Sequence, residues 1–459
     1  MDTNSLISFR PYLLDPVPVT VFCGLPGAGK SELISKVAEF IASGPNPRKS
    51  QTLSDPSLFK ADTACAHCGI TQALQDELRR RIQQECPDYF LVEVPVECDP
   101  RSVAHSFSGE VQKQYQKRQS GARSRPTRQA SLDALVSVVD VSSFAARLNS
   151  QQSLGADFPG LKVSQPEVLQ DSTADILAAS IETCDVLLLH RYQGVSPEFL
   201  ISLESCLRAL QPRAKIVRAE LGQEELWIPE ILGTRLFDSE ATEESSTWRQ
   251  ALKKCPPESR TAQGSAQGEW LPVEIWRDVD PELWTVALVR RFRPFHPERL
   301  ARVLDGWSDL LLRTVGQVWL ATDGAQSYHL GQIGPSPVFF HPDAPWAVTA
   351  PISEQQAIRR EEPELDRIWD PGHGDRFSEI VLVGPRPAIE EAVAAFDYSL
   401  LTDAEMKMDW TKFRDPFHEE ILAQEKAEQG QSEAPSSRSP RKEVPWLKLV
   451  KDQPSPELN

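Results

Sequence analysis

The sequence predicts an α/β protein in two parts: a doubly wound P-loop NTPase-type domain, then a small antiparallel α+β domain of ferredoxin-like order. Three observations predict it. Short apolar strands alternate with helices through the first half of the chain. A glycine-rich loop, GLPGAGKS (24–31), joins the first of these strands to the first helix. Beyond a polar stretch near residue 238 the order changes to β-α-β-β followed by β-α.

Each element follows from its residues. PVTVFC (18–23) is apolar and β-branched, as a strand buried on both faces is. KSELISKVAEFIASG (30–44) has helical periodicity and is stopped by Gly44 and Pro45. ITQALQDELRRRIQQE (70–85) is helical and DYFLVEV (88–94) is a strand. DALVSVVDV (133–141) is a strand and FAARL (144–148) starts a short helix. ADILAASIET (174–183), CDVLLLH (184–190), SPEFLISLESCLRALQP (196–212) and AKIVRA (214–219) continue as helix, strand, helix and strand. The spacing gives a phosphate-loop domain over 1–237. Residues 238–270 are polar and without period, which predicts a linker. In 271–410, LWTVALVRRFR (283–293), LRTVGQVWLAT (312–322), SYHLGQIG (327–334) and EIVLVGP (379–385) are strands. HPERLARVLDGW (296–307) and PAIEEAVAAF (387–396) are helices, and 341–376 is an insertion. Residues 424–459 have the composition of a disordered tail.

The formal charge of −17 argues against nucleic acid and anionic membrane surfaces as partners. No apolar run approaches the ~20 residues that span a bilayer, and the N-terminus shows no secretory signal. Eight cysteines scattered over 459 residues suit a reducing cytoplasm rather than a disulfide scaffold.

GLPGAGKS matches G-x-x-x-x-G-K-[ST] between a strand and a helix, the context the motif requires. Gly24, Gly27, Ala28 and Gly29 bring backbone N–H groups to the phosphates of a purine nucleotide, and the helix N-terminus adds positive potential. Lys30 is expected to meet the β- and γ-phosphates and Ser31 to hold Mg²⁺.

With further stretches the chain resembles the CobW-type P-loop GTPases, which act as metal chaperones and insertases. CAHCGITQALQDEL stands where that family has Cys-x-Cys-Cys before a helix, with His67 at the middle cysteine. VEVPVECDP matches its Glu-Thr-[ST]-Gly-x-[AS]-[DN]-Pro strand end, and VSVVDVSSF its VVD strand. RPFHPERL (293–300), WLA (319–321), GDRFSEIVLVG (374–384) and LLTDAEM (400–406) match its C-terminal domain. The resemblance implies bound GTP or ATP, Mg²⁺, Zn²⁺ and a metalloprotein client. It implies Glu93 and Asp99 as carboxylates supporting Mg²⁺, with Lys30 and Asp99 as the catalytic pair. It further implies that Cys65, His67 and Cys68 form an open three-ligand zinc site, the backbone turning at Gly69 into a helix from Thr71.

Three departures qualify that expectation. No strand and acidic loop is apparent between the phosphate loop and the cysteine motif, leaving Asp55 as the substitute. Val96 replaces the glycine that turns an N–H toward the γ-phosphate. His190-Arg191-Tyr192-Gln193 replaces the guanine-reading Asn-Lys-x-Asp, so His190 and Gln193 reproduce only part of the base contacts. The first expectation is a nucleotide-dependent zinc chaperone with slow turnover. The alternative is a module that binds nucleotide and metal without useful hydrolysis, and a small-molecule kinase stands behind both. His296 is expected to cap or pack at a helix start, His329, His341 and His373 to be structural, and RRFR (290–293) to be a solvated strand edge.

Overall fold

A computed structural model describes residues 16–44, 47–59, 66–108, 128–257, 267–275 and 283–419. They divide at Ser246 into two units, with residues 148–151 grouping with the second.

In the first unit, β1 (Val17–Cys23) leads through the glycine loop into α1 (Lys30–Ser43), β2 (Ser50–Leu53), α2 (Ala66–Glu85), β3 (Tyr89–Glu93), α3 (Pro100–His105) and β4 (Ala130–Asp140). A short helix at Phe144–Leu148 follows. Then come α4 (Thr173–Thr183), β5 (Val186–His190), α5 (Pro197–Leu210) and β6 (Lys215–Arg218). The strands form one parallel sheet in the order β2-β3-β1-β4-β5-β6. Helices cover both faces, so the central strands have no polar face. All of β5 and all but Pro18 of β1 are buried. Phe22, Leu33, Val37, Leu91, Val136 and Leu188 meet in the core. Strand order reverses about β1, which opens a crevice at the carboxyl ends of the strands, where the phosphate loop emerges.

Two expectations change here. A strand does lie between the phosphate loop and the cysteine motif: β2, parallel to β3 with Ser50 opposite Tyr89. It is a four-residue edge strand that buries only Gln51 and Leu53, too little apolar sequence to announce itself. The polar stretch after residue 237 is not bare linker. It holds α6 (Ser239–Glu243), capped by the Asp238 carboxylate accepting from the N–H groups of Glu240 and Ala241, and α7 (Thr247–Lys254). Both helices are too short for periodicity to show.

The second unit adds β7 (Leu271–Pro272), β8 (Thr285–Arg291), α8 (Pro297–Asp305), β9 (Arg313–Val318), β10 (Gln326–Ile333), β11 (Phe339–Pro345), α9 (Ile352–Glu361), β12 (Ser378–Gly384) and α10 (Arg386–Ser399). Its sheet is antiparallel, in the order β11-β10-β9-β12-β8-β7. β12 enters between β8 and β9, the split β-α-β order expected. Gly316 of β9 is what permits that entry: a Cβ there would stand 2.1 Å from the Glu379 carbonyl oxygen of β12. Leu300 and Leu304 of α8 pack with Ile389, Val393 and Phe396 of α10.

Arg290 and Arg291 are not a solvated edge, because each side chain is only 2% exposed. Arg290 Nε donates to Glu379 of β12 at 2.6 Å, and its Nη2 meets the Cys255 carbonyl just after α7. Arg291 points to the other face and donates to Asp397 of α10 at 2.6 Å. Burial of two consecutive guanidiniums is tolerable only because each finds its own carboxylate.

Candidate nucleotide site

The glycine loop is shaped by close approach. Gly24 has φ +132° and a Cβ there would lie 2.6 Å from the Val138 carbonyl oxygen of β4. Gly29 has φ +94° and a Cβ there would meet the His190 ring at the same distance. Ala28 is buried and its N–H closes a turn onto the Leu25 carbonyl at 3.3 Å. Lys30, the first residue of α1, turns back over the loop and donates to the carbonyls of Gly24 (2.9 Å) and Leu25 (3.1 Å). Burial lowers its pKa, against the opposing pull of Glu93. An ammonium held only by two carbonyls in a dry loop is a strong attractor for an anion.

Next along α1, the Ser31 hydroxyl is 2.9 Å from both carboxylate oxygens of Glu93, the last residue of β3. One hydroxyl against one carboxylate at a strand end is a hard oxygen donor set suited to Mg²⁺, which takes one or two protein oxygens and keeps several waters. A cleft of about 390 Å³ adjoins this pair, lined by Lys30, Pro56, Glu93, Val96, Glu97 and Lys162 among others.

Other expected residues are placed differently. Asp99 is the N-cap of α3, its carboxylate accepting from the Arg101 N–H at 2.9 Å, and it is exposed. Of the two carboxylates proposed for Mg²⁺, the described contacts bring only Glu93 to Ser31. Val96 lies in the turn after β3 without a positive φ, so the turn is built without the conformation that glycine would supply. Asp55 accepts from the Ser57 N–H within its own turn.

At the end of β5, His190 is 3% exposed and both ring nitrogens lack a hydrogen-bond partner. Glu32 is nearest at 3.6 Å from Nε2. Burial, then the neighbouring Arg191 charge, lower its pKa, so the ring is neutral. It packs against Gly29 and thereby supports the loop from behind. Arg191 has φ +54°, and its Nη1 donates to the Gly27 carbonyl at 2.8 Å and to Asp140 at 3.0 Å. It ties the tip of the loop to the end of β4. Gln193 is exposed, beside Gly194. Sequence reasoning missed Arg191 as a site residue, although a cation at the second position of the guanine motif was the available signal. Lys162 had no signal: it stands in a polar stretch more than 130 residues from the loop.

The metal-ligand expectation falls largely outside the described residues. Cys65 is not among them. α2 begins at Ala66, five residues before the expected start, so His67 and Cys68 lie in its first turn. Among the described residues no group of three or more His, Cys, Asp or Glu is placed to hold a metal ion. Four further histidines, His296, His329, His341 and His373, have these surroundings. His296 precedes α8 as its N-cap residue but makes no side-chain cap bond, and its ring lies 4.7 Å from that of Phe413. His373 Nδ1 lies 3.0 Å from the Asp370 carboxylate, which accepts from it, and the ring stacks on Trp410. His329 faces His341 across β10 and β11. Cys23, Cys184 and Cys206 are buried, with thiols pushed up by burial, Cys23 and Cys206 to about 12, as small core residues are. No helix among the described residues is long and apolar enough to cross a membrane.

Residues 285–400, from β8 through α10, match the cobalamin synthesis protein cobW C-terminal domain. The chain is 23% identical over 434 residues to zinc-regulated GTPase metalloprotein activator 1 of Dictyostelium discoideum, covering 88% of this chain and 84% of that protein. It is 31% identical over 130 residues to a zinc chaperone of Mycobacterium tuberculosis, which is 27% of this chain and 32% of that one. Among solved structures, the Zn(II)-bound YjiA GTPase from E. coli aligns over 84% of this chain and all of its own, at 14% identity and a TM-score of 0.30.

Proposed function

We infer that the chain is a CobW-like P-loop protein, and from that premise propose that it is a nucleotide-dependent zinc chaperone that hands metal to a metalloprotein client. The observation that carries the nucleotide half is the loop itself: Lys30 bent over 24–29 and Ser31 held against Glu93. Such a cradle binds the phosphates of GTP or ATP with Mg²⁺ at Ser31. The zinc half rests on the donor set Cys65, His67 and Cys68, thiolate and imidazole being the ligands zinc prefers. Three ligands leave a fourth position for the client, as a carrier requires. Relatives named as a zinc-regulated metalloprotein activator and as a zinc chaperone support the same reading. The cysteines described are all free, which suits work in a reducing cytoplasm.

The test is competition for zinc against a chromogenic chelator, with and without nucleotide. Zinc bound at one equivalent, with an affinity that shifts on adding GTP, is the expected result. If Cys65→Ser, His67→Ala and Cys68→Ser each leave affinity and stoichiometry unchanged, the carrier reading fails.

One observation favours a second reading, in which nucleotide is sensed and not usefully hydrolysed. The turn after β3 offers Val96 where a flexible N–H is needed, and Asp99 is already engaged in capping α3. Turnover with Mg²⁺, measured with and without zinc, separates the two.

A further inference from the structure

We propose that Lys162 is a second cation for the terminal phosphate of the bound nucleotide, supplied by this chain to its own site; the inference rests on the nucleotide reading above. The cleft beside the loop has two walls. One carries Lys30 and Glu93, the groups that mark where the β- and γ-phosphates and the metal belong. The other is residues 161–164, with Lys162 among the lining side chains. That second wall is pinned, because the Ser164 N–H donates to the Glu97 carboxylate at 3.0 Å, fixing it to the turn after β3.

The charges inside the cleft differ in how far they are engaged. Glu93 receives the Ser31 hydroxyl, Glu97 receives the Ser164 N–H, and Lys30 is held by two loop carbonyls. Lys162 is exposed and meets no carboxylate among the described residues. It is therefore the cation with most to gain when an anion enters. A diphosphate ends nearer the loop. A triphosphate extends one group further into the cleft and brings its added charge toward the 161–164 wall. Lys162 should consequently distinguish the two, and the Glu97 tie would pass the presence of the terminal phosphate to the turn after β3.

The experiment is calorimetric titration of the full chain, with Mg²⁺, using a non-hydrolysable triphosphate analogue and the corresponding diphosphate, for guanosine and adenosine pairs. Wild type, Lys162→Ala and Lys162→Arg are compared, with melting curves to show an intact fold. In Lys162→Ala the triphosphate-to-diphosphate affinity ratio should fall about tenfold, and in Lys162→Arg it should stay within about twofold, because charge at short range in a solvated cleft sets the effect. If wild type binds both nucleotides and the alanine ratio is unchanged, or both affinities fall equally, the role of Lys162 is refuted and the nucleotide reading stands. If wild type binds neither, both fall together.

Discussion

Arg191→Ala isolates the contribution of the clamp that joins the phosphate loop to β4. The substitution keeps a Cβ, so the strain of φ +54° is the same in both proteins and the difference is the guanidinium alone. Two contacts are lost: the Gly27 carbonyl at 2.8 Å and Asp140 at 3.0 Å. A charged donor to a carbonyl is worth about 1.5–3 kcal/mol, but with Gly27 exposed and the Arg191 side chain 44% exposed, screening reduces this to about 1 kcal/mol. The ion pair to Asp140 adds at most about 1 kcal/mol. Without the clamp the loop tip is free before nucleotide arrives and must be ordered on binding, so the loss appears in affinity. The dissociation constant for nucleotide should rise about tenfold, the equivalent of ~1.4 kcal/mol. Arg191→Lys keeps the charge but not the fork, and should fall between wild type and alanine. The same contacts stabilise the folded unit without nucleotide, so the melting midpoint should fall by a few degrees as well. Isothermal titration of the full chain with Mg²⁺ and nucleoside diphosphate makes the measurement. If Arg191→Ala and Asp140→Ala both bind within about twofold of wild type, the clamp plays no part in organising the loop.

Lys30→Ala should weaken triphosphate binding at least about tenfold, and equal calorimetric titrations for variant and wild type would make the loop idle. Preference for GTP over ATP should be weak, since His190 is buried behind the loop and Gln193 lacks an anionic acceptor; a competition assay giving more than about a hundredfold preference contradicts this. Intrinsic hydrolysis should be on the order of 10⁻³ s⁻¹ or slower, and Glu93→Gln should reduce it further, whereas a steady-state rate above about 1 s⁻¹ would refute the reading of the Val96 turn. In the second unit, the Arg299 guanidinium holds the Glu405 carboxyl down from 4.5 to about 2. A depressed acid stabilises above its unfolded pKa and loses that contribution as pH falls through its folded one. Glu405→Gln should therefore cost about 1 kcal/mol at neutral pH, and the gap should close between pH 4.5 and about 2. Tryptophan fluorescence follows this unit, because every tryptophan but Trp227 lies beyond residue 246.

What the sequence shows and hides follows from where the information is stored. Strands such as 18–23 and 184–190 are legible because burial on both faces demands an unbroken apolar run. The glycine loop is legible because close approach leaves no alternative residue at 24 and 29. β2 escaped notice because an edge strand buries one side only, and α6 and α7 because helices of five and eight residues offer little period to read. Arg290 and Arg291 looked like surface because their partners, Glu379 and Asp397, lie some ninety and a hundred residues away. The same is true of Lys162, whose meaning comes wholly from the wall that faces it. Composition records what a residue is, and long-range pairing decides whether its charge is solvated, paired or waiting.

The Arg290-Arg291 dipeptide has one more consequence, for how β8 finds its place. Val289, Arg290 and Arg291 stand on alternate faces, and a strand that slides by one residue exchanges them all. Shifted one way, Arg290 would reach Asp397 but Val289 would oppose Glu379, leaving a carboxylate stranded. Shifted the other way, Arg291 would oppose Glu379, Phe292 would face Asp397, and Arg290 would enter the apolar slot of Val289 opposite Ile380. Either error leaves a charge without its counterion in a dry interior, a defect of roughly 3–5 kcal/mol. Two adjacent like charges, awkward in any single strand, thus act as a two-pronged key that only one alignment of the sheet accepts.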